Sequence, residues 1–360
     1  MSVFIVADLD GCVFPNVNSD NRIQHERFDE LVEQVEQIRA EGGASCIATG
    51  RTINGITADK LFKQEDGTVT FPLDYIICSV GTEIYKLVDG EYVKYEAFDE
   101  HLLDAPEGKV PFNIETVKNA LEVGDEGTDY EGVHFRNQPP KIIAGLRHSY
   151  YADATVNLNA ITDEDELSAE IIRQTQLIED AVRKTLPQHL DYKPLISLEK
   201  KGNHIEGFNV DILPSNAGKD NARAWLIEEA KTQGEEYDVA VVWDDTPNGK
   251  ANMYPEKWTE QGINKVAFIA PANRTPDLHE HLMGIKEQYA NDNNVLVYSP
   301  ETSDNFYSDT GGAGGLVEGL KAMIEKFYSS EPTLTLETRT IEGQHPESKE
   351  QGWSKAAGGN

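Results

Sequence analysis

Val3-Phe4-Ile5-Val6-Ala7-Asp8-Leu9-Asp10-Gly11 is a short, unbroken apolar run that ends in two carboxylates two positions apart. Its length, its β-branched content and the closing Gly read as a strand buried on both faces, as in a parallel sheet. The aspartates then sit at the carboxyl end, where open α/β sheets place their ligands. Side chains alternate along a strand, so Asp8 and Asp10 point the same way. Two like charges held that close are costly unless a cation or a proton lies between them. Alone, the pair reads equally as a loop start or a helix N-cap. The rest of the chain has to decide.

Similar runs recur at Ala44-Ser45-Cys46-Ile47-Ala48, Tyr75-Ile76-Ile77-Cys78-Ser79, Val239-Ala240-Val241-Val242-Trp243, Val266-Ala267-Phe268-Ile269-Ala270 and Val295-Leu296-Val297-Tyr298. Residues 26–41 carry Phe28, Leu31, Val35 and Ile38 on one helical face and stop at Gly42. A second helix, over 220–233, follows Gly218-Lys219. Strands alternating with helices predict the α/β class, with a parallel, doubly wound sheet. The alternation breaks from about 84 to 207. That stretch is punctuated by Tyr and Gly, with β-like pieces at Lys141-Ile142-Ile143-Ala144 and over 149–158, and one long helix over 164–186. It predicts an inserted α+β domain over 84–207, splitting a core domain of 1–83 and 208–328. Residues 329–360 are polar and rich in Gly, Pro, Ser and Glu, the composition of a mobile tail.

The chain has 360 residues, long enough for a core domain and a smaller second one. No apolar run approaches the roughly 20 residues of a membrane span, and the N-terminus lacks a basic n-region, so the expected location is cytoplasmic. The three cysteines, Cys12, Cys46 and Cys78, form no CxxC pair and read as buried thiols in a reducing compartment. Acidic residues number 63 against 32 basic ones, a net charge of −31. Nucleic acid and anionic membranes need clustered Lys and Arg, so both are disfavoured as partners. An anionic substrate would need positive charge focused locally, from a metal or from placed Lys and Arg.

Four places in the proposed core carry polar residues of complementary type. Asp8 and Asp10 follow the first strand. Thr49-Gly50-Arg51 follows the second, a small hydroxyl with main-chain N–H groups suited to a phosphate. Gly218-Lys219 opens a helix and offers a cation. Trp243-Asp244-Asp245-Thr246-Pro247-Asn248 brings a second carboxylate cluster. Each element has a bland reading as a cap or a solvated charge. Their order and their place at strand ends do not.

In this order the four motifs resemble those of the haloacid dehalogenase-like phosphohydrolases, over roughly residues 3–328. Ala48-Thr49-Gly50-Arg51-Thr52, Ser79-Val80-Gly81-Thr82-Glu83-Ile84-Tyr85, Asp211-Ile212-Leu213-Pro214 before Gly218-Lys219, and Gly314-Gly315-Leu316-Val317-Glu318-Gly319-Leu320 are similar to the sucrose-phosphate phosphatase branch. The resemblance implies a Rossmann-like core with an α/β cap inserted after the third core strand. It also implies a mechanism. Asp8 would attack phosphorus to give an aspartyl-phosphate, and Asp10 would protonate the departing sugar oxygen and then activate water. Mg²⁺ would bind Asp8, the Asp10 carbonyl and Asp245. Thr49, the Gly50 amide and Lys219 would hold the phosphoryl oxygens, with Asn248 orienting Asp8 or the metal shell.

Departures from the family pattern are confined to two places. The fourth motif usually reads G-D-S/T-x-N-D; here an extra acid, Asp244, replaces the leading Gly, and Gly249 stands where the last acid belongs. Asp244 is therefore a candidate compensating metal ligand, the alternative being a metal held more weakly. Cys12 replaces a more usual Thr. Gly81, Thr82 and Glu83 are candidates to meet the sugar, and Lys141 is the cap residue best placed by sequence to reach it. Arg51 could bind substrate or pair with nearby acids, and Asp211 could face the cap cleft or cap a local turn. The expected partner is a small-molecule sugar phosphate, sucrose 6-phosphate first, and the sugar-phosphate synthase of the same pathway is a candidate protein partner. Other disaccharide or glycosylglycerol phosphates, and a degenerate member that binds without turnover, stay open as alternatives.

Overall fold

The structure, a computed structural model, describes residues 2–14, 26–58, 71–137, 145–201, 204–245, 253–303 and 305–328. Its elements, in chain order, are β1 (Val3–Ala7), α1 (Phe28–Ala40), β2 (Ala44–Ala48), α2 (Ile53–Ala58), β3 (Tyr75–Cys78), β4 (Glu83–Val88), β5 (Glu91–Lys94), α3 (Glu96–Leu102) and α4 (Ile114–Ala120). Next come β6 (Thr128–Tyr130), β7 (Val133–Asn137), β8 (His148–Ala152), α5 (Glu164–Thr185), β9 (Lys193–Lys201), β10 (His204–Leu213) and α6 (Lys219–Thr232). The chain continues through β11 (Val239–Trp243), α7 (Pro255–Thr259), β12 (Lys265–Ile269), α8 (Pro276–Gln288), β13 (Val295–Tyr298) and α9 (Gly312–Tyr328).

One eight-stranded sheet has the order β13-β12-β11-β1-β2-β3-β4-β5. Its first six strands are parallel, as the continuous apolar runs predict. The two faces of β1 sort cleanly. Val3, Ile5 and Ala7 pack with residues of α1 and α9, whereas Phe4 and Val6 pack with those of α3, α6 and α8. Every residue of β1, β2 and β11 is buried. A strand covered by helices on both sides has no solvent face to alternate with. The fold is an α/β sandwich around a mostly parallel sheet.

A second sheet of five antiparallel strands, β6-β7-β8-β10-β9, has a separate apolar cluster built with α4 and α5. This sheet and its cluster set apart a stretch whose edges differ from the 84 and 207 expected for an insertion. β4 and β5 pair antiparallel onto β3 and extend the core sheet. Leu102 belongs to the core's apolar cluster while Leu103 packs against the cap's. On return, Ile212 lies in the cap cluster and Leu213 in the core's. Each seam is one peptide wide. The strand expected at Lys141–Ala144, the residues of the fourth motif beyond Asp245 and the tail over 329–360 lie outside the described residues. Among the described residues, no helix is long and apolar enough to cross a membrane.

Candidate active site

Parallel pairing of β1 with β11, in register from Val3 on Val239 to Ala7 on Trp243, delivers the two acidic motifs side by side. The ladder runs one step further, with the Asp8 amide donating to the Trp243 carbonyl at 2.9 Å. Asp8, Asp244 and Asp245 consequently present carboxylate oxygens that all lie within 4.8 Å of one another. At an effective dielectric constant of about 20, ionised pairs at 4.8 Å repel by about 3 kcal/mol each. Asp244 and Asp245 are buried, so solvent relieves little of this.

Two features offset the repulsion. Lys219, the first residue of α6, places Nζ 2.6 Å from Asp8 Oδ1. Burial works against its charge, but Asp8 and Asp244 outweigh burial and raise its pKa. Asp245 takes the other route. Burial, reinforced by Asp8 and Asp244, pushes its carboxyl up to about 8, so it holds a proton at neutral pH. Its Oδ1 is buried without a hydrogen-bond partner among the described residues. Three carboxylates around one orphaned oxygen are the donor set of a hard divalent cation, and the residues present fit Mg²⁺.

Gly11 makes the approach possible. It adopts φ +83°, and a Cβ there would lie 1.8 Å from Asp245 Oδ2. Gly81 does the same for Lys219: at φ +79°, its absent Cβ would fall 2.2 Å from the Gly218 carbonyl carbon. Gly81, a candidate sugar contact by sequence, here lets two loops meet. The preceding Ser79 and Val80 hold φ of 52° and 61°, a conformation most residues avoid. Thr82 Oγ1 donates to the Ser79 carbonyl at 2.9 Å and tightens this turn.

The remaining expected residues divide. Thr49 is buried, and its Oγ1 accepts from the Arg51 amide at 3.1 Å. Arg51 pairs with Asp10 through both carboxylate oxygens, Nε to Oδ2 at 2.7 Å and Nη2 to Oδ1 at 2.6 Å. The Asp10 carboxylate is outside the three-acid cluster. Glu83, expected at sugar hydroxyls, is buried. It accepts from the Ser79 hydroxyl at 2.7 Å and the Tyr85 hydroxyl at 3.1 Å. Asp211 is also buried, where it accepts from Arg147 Nε at 2.8 Å. Protein donors engage both oxygens of Glu83 and the Oδ1 of Asp211 in this arrangement. Lys141 and Asn248 lie outside the described residues.

The sucrose-6F-phosphate phosphohydrolase family model matches residues 1–260. The chain belongs to that family. Its members are haloacid dehalogenase-like phosphatases, and the acid cluster of this family member stands at the strand ends where the resemblance puts the phosphoryl chemistry. Among solved structures, a haloacid dehalogenase-like hydrolase from Bacillus subtilis is similar at 14% identity and a TM-score of 0.48, covering 90% of this chain and 91% of that one. A HAD/COF-like hydrolase from Plasmodium vivax gives 14% and 0.41, over 90% and 96%. The C-terminal domain of the C. albicans trehalose-6-phosphate phosphatase gives 11% and 0.38, over 89% and 91%. No curated protein sequence matches the chain.

Sequence reading missed Arg147 in this phosphohydrolase-family chain. It is buried between the cap and the core, and its Nη1 donates to the Gly50 carbonyl at 2.9 Å. An Arg ahead of a strand reads as a solvated charge, and its partner Asp211 is 64 positions away.

Proposed function

We propose that the protein is a Mg²⁺-dependent phosphatase that hydrolyses a disaccharide phosphate, sucrose 6-phosphate foremost, to the free sugar and orthophosphate. The observation that carries this reading is the three-acid cluster with Lys219 bound to Asp8, in a member of the sucrose-6F-phosphate phosphohydrolase family. Asp8 attacks phosphorus, the bond to the sugar oxygen breaks, and Asp10 gives that oxygen its proton. Water then attacks the aspartyl-phosphate, with Asp10 taking a proton from it, and orthophosphate leaves. Lys219, Thr49 and the Gly50 amide hold the phosphoryl oxygens while charge shifts among them. A magnesium ion bound by Asp8, Asp245 and Asp244, with the Asp10 carbonyl, would neutralise phosphoryl charge that these acids would otherwise repel. Asp245 gives up its proton to make that binding possible.

A cap joined to the core by narrow seams suits a substrate with a large non-reacting part, whose binding energy helps assemble the site. Three buried thiols fit work in a reducing cytoplasm. The test is phosphate release from a panel of sugar and aryl phosphates, with and without EDTA. Preference for sucrose 6-phosphate and loss of turnover in EDTA are expected. A flat profile across monosaccharide and disaccharide esters overturns the substrate assignment, and full activity in EDTA overturns the metal.

A further inference from the structure

Two cations of the cap reach across the seam, and each ends on a main-chain carbonyl of a core loop. Arg147 donates Nη1 to the Gly50 carbonyl at 2.9 Å. Lys193, the first residue of β9, donates to the Ala217 carbonyl. These two loops carry Thr49-Gly50 and lead into Lys219, the residues assigned above to the phosphoryl oxygens.

Both cations are themselves held. Arg147 Nε donates to Asp211 Oδ1 at 2.8 Å and to Ser149 Oγ at 3.1 Å, and the Ser149 hydroxyl donates to the same Asp211 oxygen. Arg147 is 8% exposed and Asp211 4%, so this bracket is closed to water. Lys193 is half-buried and lies near Asp220, on the first turn of α6.

The choice of carbonyls matters. A trans peptide holds its C=O and the next N–H on opposite sides of one plane. Fixing the Gly50 carbonyl toward the cap therefore sends the Arg51 N–H away from it, and that N–H meets Thr49 Oγ1 at 3.1 Å. Fixing the Ala217 carbonyl likewise turns the Gly218 N–H toward the Gly81 carbonyl, 3.4 Å away. The cap cations thus fix the peptide plane that follows the Gly50 amide and the one that leads into Gly218-Lys219, while leaving the Gly50 amide, the Thr49 hydroxyl and the Lys219 ammonium unoccupied by the cap.

We propose that Arg147 and Lys193 are positioning residues through which the cap sets the geometry of both phosphate-binding loops. The inference rests on the phosphatase reading above and adds to it: the cap serves the phosphoryl end of the substrate as well as the sugar end.

The test pairs Lys193→Met with Arg147→Met/Asp211→Asn, the double change so that no buried charge is left unpaired. Three quantities are measured in Mg²⁺: kcat and KM on sucrose 6-phosphate, the same on p-nitrophenyl phosphate, and orthophosphate affinity by calorimetry. Each variant should lose about tenfold or more in kcat on both esters, because small misplacements of binding groups are amplified in rate. Orthophosphate affinity should weaken as well, and Arg147→Lys should recover part of the loss. A loss confined to KM for the sugar ester overturns the proposal, since the cations would then read the sugar. Wild-type values throughout, in folded variants, overturn it too. Should the unaltered protein hydrolyse neither ester, the phosphatase reading fails and orthophosphate affinity alone decides. Unchanged affinity in the variants, or none in the parent protein, then counts against the bracket.

Discussion

Arg51 grips Asp10 with two parallel hydrogen bonds, at 2.7 and 2.6 Å, across 41 positions of sequence. Fork-on-fork pairing of this kind fixes a carboxylate in plane as well as in distance. Both partners are about one quarter exposed, so the pair borders solvent and can exchange partners. Asp10 cannot serve the leaving sugar oxygen while both its oxygens face Arg51. Substrate phosphate, a competing anion, is the natural trigger for release. Arg51→Ala should lower kcat by about tenfold or more, because the guanidinium that substrate phosphate draws away from Asp10 would no longer be there to hold that phosphate. Circular dichroism should be unchanged. A wild-type kcat in this variant would reduce the pair to a surface contact.

Asp8→Asn should abolish turnover while the fold is kept. The nucleophile is lost, whereas Lys219 keeps Asp244 as a nearby counter-charge. Lys219→Met is the complementary change. It removes the cation 2.6 Å from Asp8 and should destabilise the metal-free protein more than the Mg²⁺-loaded one. Thermal melts of both variants with and without EDTA decide. Undiminished hydrolysis by Asp8→Asn would sink the nucleophile assignment.

How far the sequence reveals this site depends on which contacts are local. β1, β2 and β11 are legible because unbroken apolar runs can only be satisfied by cover on both faces, and the acids at their ends follow from strand polarity. The β4–β5 hairpin was legible in principle. Asp89-Gly90, at φ 52° and 83°, is the two-residue turn that joins antiparallel strands. Its weak flanking pattern, half-exposed from Tyr85 to Leu87 and exposed at Val88, lets it pass for the start of the insertion. Glu83 reads as a candidate sugar contact, and Asp211 as facing the cap cleft or capping a local turn, because a loop or strand-end acid shows its charge in sequence and hides its partners. Ser79, Tyr85 and Arg147 are those partners. Arg147 itself carries no motif, since its meaning comes from a carbonyl at Gly50 and a carboxylate on another strand.

Asp245 ties stability to pH. Its carboxyl moves from an ordinary 3.8 up to about 8 on folding, chiefly through burial and then through Asp8 and Asp244. Between those values the folded chain keeps a proton that the unfolded chain has released. The contribution of this group is therefore full below about pH 4 and is lost as pH rises through about 8. In EDTA, the melting temperature of the wild type should fall relative to that of Asp245→Asn from about pH 5 to pH 8. Mg²⁺ should restore the wild type most at the alkaline end, where the carboxyl is free to bind it. Parallel curves for the two proteins would refute the buried proton.

Gly11 supplies the sharpest steric test. Its φ of +83° is reached by Gly at little cost, and a side chain there would be driven into Asp245 Oδ2 at 1.8 Å. Neither strain can relax separately. The Gly11 amide is bonded to the Phe14 carbonyl at 2.7 Å, and the Gly11 carbonyl accepts from Asn273 Nδ2 at 2.8 Å. Gly11→Ala must therefore displace the Asp245 carboxylate, the acid with the orphaned oxygen, while leaving Asp8 and Lys219 untouched in sequence. The expected result is Mg²⁺ binding weakened by about tenfold or more, with a matching loss of turnover that high Mg²⁺ partly recovers. Gly81→Ala, on the Lys219 side, should lose turnover that Mg²⁺ does not recover, because its clash is with the Gly218 backbone. Identical Mg²⁺ dependence in the two variants would show that Asp245 is not the ligand this geometry makes it.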